Sequence, residues 1–209
     1  QDHKRLNDND KGPNTGGMGA YSPTPLITQS HLERITKEII KPTIDALLRK
    51  NIDYRGVLYF GLMITKSGPK VIEYNCRFGD PECQTIMPLM DNDFVILLQK
   101  CAKGTLTGNE KINMTNKFSG CVIATSEGYP LNYKKGFQIK YGDIDSEDCQ
   151  IFDSGTSLNS NGEYITDGGR VLSIVCQGKD FDTVFEKAYM NLKKISFKGI
   201  YYRTDIGHQ

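Results

Sequence analysis

The sequence predicts an α+β protein in two parts, and three observations lead to that class. The first is a segment with apolar residues at helical spacing, from about Thr28 to Asn51. The second is a pair of strand-like runs joined by a Gly-Pro turn, within residues 56–75. The third is a change of pattern after Gly104, where short strand-like runs alternate with Gly-, Asn- and Asp-rich turns. We therefore predict a first domain at 1–112 and a small β-rich domain at 113–209.

Local signals place the individual elements. Thr28 is a candidate helix N-cap, and Pro42 predicts a kink or a break in the helix that follows. Asp80 is a candidate N-cap with Pro81 at the first helical position, which predicts a further short helix. The other elements expected from periodicity are a helix at 92–102, strands at 118–126, 150–153 and 170–177, a helix at 182–195 and a strand at 200–203.

Composition and charge exclude several functional classes. The chain of 209 residues is 38% hydrophobic and 24% charged, as expected of a globular protein. A net charge of +1 argues against electrostatic binding to nucleic acid or to an anionic membrane. No apolar run approaches the roughly 20 residues that span a bilayer, and the chain opens without a signal peptide. We therefore expect a cytosolic protein with no nucleic-acid or membrane partner.

The cysteines and histidines show no compact ligand pattern. The six cysteines contain no C-x-x-C pair and no regular spacing, which favours reduced thiols over disulfides. The three histidines lie too far apart in the sequence to form a zinc site by spacing, and we expect His31 and His208 at the surface. No Ser-His-Asp or Cys-His arrangement is evident either, so the sequence predicts no protein nucleophile.

The most informative motif lies at residues 73–84, with the sequence Glu-Tyr-Asn-Cys-Arg-Phe-Gly-Asp-Pro-Glu-Cys-Gln. Side chains alternate along a strand, so Glu73 and Asn75 point to one face and Tyr74 to the other. A carboxylate and an amide oxygen at this spacing are the hard donors that Mg²⁺ prefers, with water and substrate phosphates as its other ligands. Arg77 adds a planar donor for a phosphate or a carboxylate. A β-hairpin that leads into a helix and binds no ligand is the plainer interpretation.

A second motif is a Gly-rich stretch near the start of the chain. Residues 12–23 have the sequence Gly-Pro-Asn-Thr-Gly-Gly-Met-Gly-Ala-Tyr-Ser-Pro and follow Asp-His-Lys-Arg at residues 2–5. Glycines permit positive φ angles and let backbone N–H groups approach a ligand, so the stretch is a candidate anion site. Its spacing differs from that of a Walker A loop or a dinucleotide fingerprint. Taken alone, the stretch favours a flexible surface loop.

Together these two motifs resemble those of the phosphoribosylamine–glycine ligases (glycinamide ribonucleotide synthetases), a family of the ATP-grasp superfamily. The resemblance implies the C-terminal lobe of an ATP-grasp fold, followed by a small β-rich domain like the one that follows this fold in biotin carboxylase. It covers nearly all of this chain but only about half of such a ligase. The amino-terminal domain and the first ATP-grasp lobe have no counterpart here. We therefore expect a fragment of a longer polypeptide that is inactive by itself.

The resemblance implies an ATP-dependent ligase of de novo purine biosynthesis that uses Mg²⁺ or Mn²⁺. ATP would phosphorylate the carboxylate of glycine. The amine of 5-phosphoribosylamine would then attack the glycyl phosphate, giving glycinamide ribonucleotide and phosphate besides ADP. The implied partners are these substrates, the missing amino-terminal part of the same enzyme and, in multifunctional eukaryotic proteins, fused purine-synthesis domains.

The same resemblance assigns roles to individual residues. Arg77 and Asp80 are the candidate catalytic residues: Arg77 would hold the substrate carboxylate or the transferring phosphoryl group, and Asp80 the glycine ammonium. For the nucleotide and its metal the candidates are Lys4, Arg5, Glu73 and Asn75, of which the last two bind the metal. The substrate-binding candidates are Asp2, His3, Asn14, Thr15, Gly16, Gly17, Met18, Gly19, Arg77, Asp80 and Arg170. For Arg170, a solvated turn is an equally good interpretation.

The metal count and the exact reaction stay open. Many ATP-grasp relatives place another acidic ligand on the strand before Glu-x-Asn, but residues 54–72 contain no Asp or Glu. Glu73 would then bridge two ions, or phosphates and water would hold one ion. Two other functions also stay open: another ATP-grasp ligase or carboxylase, and a non-catalytic domain that binds a substrate or a partner chain.

Overall fold

The computed structural model of the protein describes residues 1–208. Its α-helices are α1 (Gln29–Ile35), α2 (Lys41–Arg49), α3 (Glu82–Ile86), α4 (Phe94–Lys103) and α5 (Phe181–Leu192). A π-helical turn lies at Thr36–Ile40 and a 3-10 turn at Met87–Leu89. The strands are β1 (Arg5–Asn7), β2 (Lys11–Asn14), β3 (Gly19–Ser22), β4 (Tyr59–Thr65), β5 (Gly68–Asn75), β6 (Phe118–Ser126), β7 (Lys140–Tyr141), β8 (Cys149–Asp153), β9 (Thr156–Leu158), β10 (Tyr164–Thr166), β11 (Arg170–Gly178), β12 (Ile195–Ser196) and β13 (Ile200–Tyr201).

The contacts divide the chain into two compact units, each made of separate sequence segments. Unit 1 comprises residues 1–23, 80–89 and the chain from residue 115 onward, and unit 2 comprises residues 24–79 and 90–114. The first segment joins unit 1 because β3 pairs with β6, in the β-rich part of the chain. The contacts therefore cut the chain at other points than the predicted boundary at residue 112.

Unit 1 is built on an antiparallel sheet with the strand order β13-β6-β11-β8, in which β3 also pairs with β6. Strands β6 and β11 are buried along almost their whole length. Helix α5 begins after Asp180, whose carboxylate accepts a hydrogen bond from the Thr183 N–H. Its side chains Val184, Phe185, Ala188 and Leu192 are fully buried, as the predicted helical spacing requires. The helix ends at Leu192 rather than at the predicted Ile195, because Ile195 lies in β12.

The prediction of reduced thiols is wrong for one pair of cysteines. Cys149 and Cys176 form a disulfide, with Cα atoms 4.1 Å apart. The two residues lie directly opposite each other in the β8–β11 ladder, so both side chains leave the same face of the sheet. Their separation of 27 residues in the sequence gives no sign of that register. The free cysteines are Cys76, Cys83, Cys101 and Cys121.

Unit 2 contains the predicted hairpin and the predicted long helix. Strands β4 and β5 pair antiparallel across a tight turn, with a register shift at Gly61 and Leu62. Thr28 caps α1: its hydroxyl accepts a hydrogen bond from the His31 N–H, and the His31 ring accepts one from the Thr28 N–H. His31 is therefore a capping residue and not merely a surface residue.

The predicted break in the helix at Pro42 is confirmed: a π-helical turn separates α1 from α2. The N–H of Lys41 donates to the carbonyl of Thr36, five residues back, and α2 starts immediately afterwards with Pro42 in its first turn. Proline has no N–H to donate and its ring crowds the preceding turn, so regular helical bonding cannot continue through it. The Thr43 hydroxyl donates a hydrogen bond to the Ile39 carbonyl in the preceding turn.

The predicted N-cap at Asp80 is wrong. Helix α3 begins at Glu82 with Pro81 as its N-cap, and no side chain caps it. The Asp80 carboxylate is bound elsewhere in unit 1, as described below. Among residues 1–208, none of the helices combines the length and the apolar character needed to cross a membrane.

Candidate functional site

The end of β5 carries the candidate metal ligands. Glu73 lies opposite Gly61 in the β4–β5 ladder. The side chain of Tyr74 points to the helix side, where its hydroxyl oxygen lies 3.2 Å from that of Thr43. Because neighbouring strand residues point to opposite faces, Glu73 and Asn75 share the other face, which agrees with the predicted alternation.

Gly61 makes room for the side chain of Glu73. A methyl group at Gly61 would lie 2.7 Å from Cγ of Glu73, which is closer than two carbon atoms can approach. The stem of Glu73 therefore crosses the backbone of β4 at this point, a typical reason for glycine inside a strand. Arg77 is exposed, and its Nη1 donates to the carbonyl of Phe78 at 2.7 Å.

The donors at the end of β5 fit a magnesium ion that shares its coordination with other ligands. Glu73 and Asn75 offer a carboxylate and an amide oxygen, both hard donors, and Mg²⁺ is commonly bound by one or two such groups together with waters and phosphates. No group of three or more His, Cys, Asp or Glu residues within 1–208 is arranged to hold a metal ion.

The backbone N–H groups of the Gly-rich loop are bound to protein acceptors. The pairs, donor first, are Thr15 to the Lys4 carbonyl (2.7 Å), Gly16 to the Tyr129 hydroxyl (2.8 Å), Gly17 to the Thr15 hydroxyl (3.0 Å) and Met18 to the His3 carbonyl (2.8 Å). Residues 15–18 therefore do not form the expected cradle of free N–H groups. The loop is also not the flexible surface segment that its composition favours, since Met18 is fully buried.

The glycines of the loop allow side chains to approach its backbone closely. A methyl group at Gly16 would lie 3.1 Å from the hydroxyl oxygen of Tyr129 and 3.2 Å from Cζ of Arg170. Gly17 has a φ of +120°, and a methyl group there would lie 2.5 Å from Pro81 Cδ and 3.1 Å from an Asp2 carboxylate oxygen. A larger residue at either position would displace these neighbours. The glycine pattern is thus explained by packing within unit 1.

Arg170 links the Gly-rich loop to Asp80. Its Nη1 donates to the carbonyls of Gly16 (3.1 Å) and Asp80 (2.8 Å) and lies 3.2 Å from Oδ1 of the Asp80 carboxylate. The same Oδ1 accepts a hydrogen bond from Gln84 Nε2 at 3.0 Å. Because only 22% of the Arg170 side chain is exposed, its interpretation as a solvated turn residue is wrong.

Asp2 is a buried carboxylate beside the loop. Its side chain is 10% exposed, and Lys4 Nζ lies 2.8 Å from Oδ2. Burial raises the pKa of Asp2 to about 6; the negative charge of Glu82 adds to the rise and Lys4 opposes it. A carboxyl group with this pKa can take up or release a proton close to neutral pH.

His3 lies in the interior of unit 1. It is 2% exposed, its ring stands 5.8 Å from that of Tyr21, and within residues 1–208 its Nε2 has no hydrogen-bond partner. Burial, followed by the charge of Arg203, lowers the pKa of His3 to about 4, so the ring is neutral at physiological pH. A substrate contact for His3 remains a prediction.

A fully buried arginine, Arg203, anchors β1, the strand that begins at the end of the Asp-His-Lys-Arg segment. Arg203 Nη1 donates to the carbonyl of Arg5 (3.1 Å) and to the carboxylate of Asp10 (2.8 Å). Its Nε and Nη2 bind the two carboxylate oxygens of Asp205 at 2.7 and 2.8 Å, a bidentate pair. Lys4 and Arg5 are thereby attached to the last turn of the chain. Arg5 itself donates through Nη1 to the Gly12 carbonyl at 2.8 Å, and Asn14 is exposed.

Three residues of these clusters were not predicted from the sequence. Glu82 stands inside the motif at 73–84, so its signal was present but was assigned to a helix start. Tyr129 precedes a proline in a turn after β6, and nothing in its local pattern indicates a partner. Arg203 ends the predicted strand at 200–203, and that strand pattern does not indicate the acidic partners that a buried arginine requires.

Comparison with known proteins gives one family for both parts of the chain. Residues 1–83 match the family model described as phosphoribosylglycinamide synthetase, ATP-grasp (A) domain, and residues 119–209 match phosphoribosylglycinamide synthetase, C domain. Over 205 residues the chain is 47% identical to the phosphoribosylamine–glycine ligase of Caldanaerobacter subterraneus subsp. tengcongensis, covering 98% of this chain and 48% of that protein. It is 44% identical over 210 residues to the trifunctional purine biosynthetic protein adenosine-3 of Gallus gallus, covering 100% of this chain and 21% of that protein.

Solved structures agree with the sequence comparison. The phosphoribosylamine–glycine ligase of Thermotoga maritima matches with a TM-score of 0.86 at 34% identity, covering 98% of this chain and 50% of that chain. A biotin carboxylase of Campylobacter jejuni matches with a TM-score of 0.62 at 20% identity, covering 88% and 40%, and this likeness shows the fold alone. The predicted fold class, the later lobe of an ATP-grasp fold with a small β-rich domain, is confirmed. The chain spans about half the length of the single-function ligases it matches.

Proposed function

Because the chain belongs to the phosphoribosylglycinamide synthetase family, we propose that it forms the C-terminal half of an ATP-dependent ligase that joins glycine to 5-phosphoribosylamine. ATP would phosphorylate the glycine carboxylate, releasing ADP. The amine of 5-phosphoribosylamine would then attack the acyl carbon of glycyl phosphate, forming the amide of glycinamide ribonucleotide and releasing phosphate and a proton. The observation that carries this proposal is the paired donor face of Glu73 and Asn75 at the end of β5.

Glu73 and Asn75 would hold Mg²⁺ or Mn²⁺. When bound, the ion neutralises phosphate charge and polarises the phosphoryl group. Glu73 is held in a defined direction by its passage over Gly61, which keeps the carboxylate on the Asn75 face of the hairpin. Arg77 would exchange its bond to the Phe78 carbonyl for the glycine carboxylate or the transferring phosphoryl group.

The substrate side of the proposal rests on residues of unit 1. Asp2, with its raised pKa and its bond to Lys4, is a group that can receive the proton an attacking amine must lose. Arg5 and the side chains of Asn14 and Thr15 are the candidates for the phosphate and ribose hydroxyls. No protein nucleophile is needed, since positioning and electrostatics suffice for this chemistry.

Asp80 supports a different role from the predicted one. Its Oδ1 accepts from Gln84 and lies beside Arg170. A carboxylate that is already paired with a guanidinium attracts a second cation less strongly than an unpaired one. We therefore favour a structural partner of Arg170 over a ligand of the glycine ammonium.

The remainder of the enzyme would cover apolar side chains that unit 2 leaves exposed. Exposed large apolar side chains recur on several elements of unit 2, among them Leu48 (65% exposed) and Ile72 (62%), and apolar surface that forms a contiguous patch marks an interaction site. The matched ligases are about twice as long as this chain, so a further half of the polypeptide is the natural partner. We expect the 209-residue chain alone to lack ligase activity. We expect the complete enzyme to act in the cytosol. In some organisms it would be fused to other purine-synthesis domains, as in the trifunctional relative.

The test is ADP release by the complete polypeptide that carries this chain, with ATP and Mg²⁺. Glycine and 5-phosphoribosylamine are supplied separately and together, and turnover is expected only with both. The change Glu73→Gln should lower kcat/KM by about 100-fold, since it removes the negative charge of a metal ligand without changing the size of the side chain. Glu33→Gln, at an exposed position of α1, is the matched control.

Two outcomes would contradict the proposal. Turnover with bicarbonate but not with glycine would identify another ATP-grasp carboxylase. Unchanged kinetics in Glu73→Gln would remove the metal role from the end of β5.

A further inference from the structure

We propose that Tyr129 and Arg170 are positioning residues of the ligase, which together hold the Gly-rich loop (residues 14–19) and Asp80 in one arrangement. The inference rests on the proposed function and adds residues from the segment that matches the C domain model. The loop and Asp80 belong to the segment that matches the ATP-grasp domain model. The C domain would thus act on the reaction by fixing the Gly-rich loop, which carries Asn14 and Thr15, rather than by touching the substrate.

The peptide groups on both sides of Gly16 are fixed. The N–H of Gly16 donates to the Tyr129 hydroxyl at 2.8 Å, and its carbonyl accepts from Arg170 Nη1 at 3.1 Å. Both distances lie in the range of well-formed hydrogen bonds. With donor and acceptor both occupied, this part of the loop cannot turn to present its peptide groups in another direction without losing a bond.

The residue at position 16 has to be small for this clamp to close. A methyl group there would lie 3.1 Å from the Tyr129 oxygen and 3.3 Å from Arg170 Nε, in the space that separates the two side chains from the loop. Glycine at this point is therefore explained by the approach of Tyr129 and Arg170.

Tyr129 packs against Gly169, the residue that precedes Arg170 in the chain. The ring of Tyr129 lies against Gly169, where a methyl group would come within 2.3 Å of Cδ2. Gly169 immediately precedes Arg170, and its carbonyl accepts from the Ser126 N–H at 2.8 Å. The ring fixes the direction of the Tyr129 hydroxyl, and packing of this kind is what holds a positioning group in one geometry.

Arg170 extends the clamp to the turn before α3. The same Nη1 that binds Gly16 donates to the Asp80 carbonyl at 2.8 Å and lies 3.2 Å from its carboxylate. One guanidinium therefore ties the Gly-rich loop to the turn before α3. A lysine would carry its donors on a flexible four-carbon stem and a strongly hydrated ammonium, so it would hold this point less firmly than the planar guanidinium does.

The test compares Tyr129→Phe with Tyr133→Phe in the complete ligase. Phenylalanine keeps the ring on Gly169 and removes only the hydroxyl, so the variant is expected to fold. Tyr133 is a neighbouring tyrosine whose ring, 6.3 Å from that of Tyr129, also lies against Gly169, and Tyr133→Phe keeps that ring while removing a hydroxyl that is not a partner of Gly16. Hydrogen–deuterium exchange of peptides that cover residues 12–19 reports the clamp without requiring turnover.

Loss of the hydroxyl should speed exchange in these peptides about tenfold, as expected for one lost neutral hydrogen bond. In the same variant kcat should fall by about tenfold or more while the KM for ATP stays within about twofold, because a small displacement of bound groups lowers the rate more than the affinity. Tyr133→Phe should change neither. Arg170→Lys should show the same kinetic pattern as Tyr129→Phe.

Exchange that stays unchanged in Tyr129→Phe would overturn the inference, and so would faster exchange with unaltered kcat. A wild-type enzyme without turnover on glycine and 5-phosphoribosylamine would instead overturn the proposed function. The two failures are distinguishable because the exchange measurement needs no substrate.

Discussion

Asp2 and His3 are adjacent buried residues whose pKa values move in opposite directions. Burial raises the pKa of Asp2 from 3.8 to about 6 and lowers that of His3 from 6.5 to about 4. The folded state therefore holds the Asp2 proton more tightly than the unfolded state, and stability falls as pH rises from about 4 to 6. For His3 the unfolded state binds the proton more tightly, so stability rises with pH from about 4 to 6.5.

Each shift corresponds to about 3 kcal/mol, so the two effects nearly cancel in the wild-type protein. We expect the free energy of unfolding of His3→Asn to fall as the pH rises from 4 to 6. The free energy of unfolding of Asp2→Asn should rise over the same range. Chemical denaturation followed by circular dichroism at several pH values measures both. The double variant should restore the flat profile, and two single variants with slopes of the same sign would contradict this account.

Residue-scale prediction from the sequence succeeds where a local rule applies. Glu73 and Asn75 share a face because strand side chains alternate, and alternation needs no knowledge of the rest of the molecule. The Gly16 N–H, by contrast, finds its acceptor on Tyr129, 113 residues later in the chain. The glycine pattern alone predicts free N–H groups. It cannot show which hydrogen-bond acceptors the fold brings close to them.

The β4–β5 hairpin should be sensitive to a residue that binds nothing. Gly61→Ala adds a methyl group 2.7 Å from Glu73 Cγ and should turn the carboxylate away from Asn75. We expect Mn²⁺ affinity in the presence of ATP to fall about 10- to 100-fold, as when the support of a metal ligand is removed. Electron paramagnetic resonance of Mn²⁺ measures this.

Met63→Ala is the control for that measurement, since Met63 lies on the same strand and is 54% exposed. It should leave Mn²⁺ affinity within about twofold. An unchanged affinity in Gly61→Ala would mean that Glu73 adapts or is not a ligand.

Elements were predicted well where periodicity is long and poorly where tertiary partners compete. The helix over 28–51 and the hairpin have strong local patterns, and Pro42 marks the break between α1 and α2. The cap at Asp80 failed because Arg170 and Gln84 bind its carboxylate, and an ion pair with a partly buried guanidinium outcompetes a helix N–H. Likewise the Cys149–Cys176 disulfide depends on strand register, which spacing does not reveal.

At the scale of the whole molecule, the two units differ in how much apolar surface they bury. Unit 1 contains one large buried cluster that includes Val122, Ile174 and Phe185. In unit 2 the buried large apolar side chains among the described residues are Ile35 and Ile39. Val95 on α4 is 61% exposed.

We therefore expect amides of α4 to exchange at least ~100-fold faster than those of β6 and β11 in the 209-residue chain, because local opening is easier where few apolar contacts hold an element. Hydrogen–deuterium exchange resolved by peptide measures this. The complete polypeptide should slow exchange in α4 and leave β6 unchanged. If the amides of α4 and β6 exchanged equally slowly in the chain alone, this would contradict the proposal that the rest of the polypeptide covers exposed apolar side chains of unit 2.

The bond between Arg203 and Asp10 spans 193 residues and has a consequence for the time at which the loop forms. A ribosome adds about 5–20 residues per second, so the hairpin of β1 and β2 waits on the order of ten seconds or longer for its anchor. Strand β3 likewise waits for β6, about a hundred residues downstream. Pairings of such sequence separation also slow the folding of a finished chain. The Gly-rich loop, although synthesised before the other strands of the large sheet, is thus among the last parts of unit 1 to take its final shape.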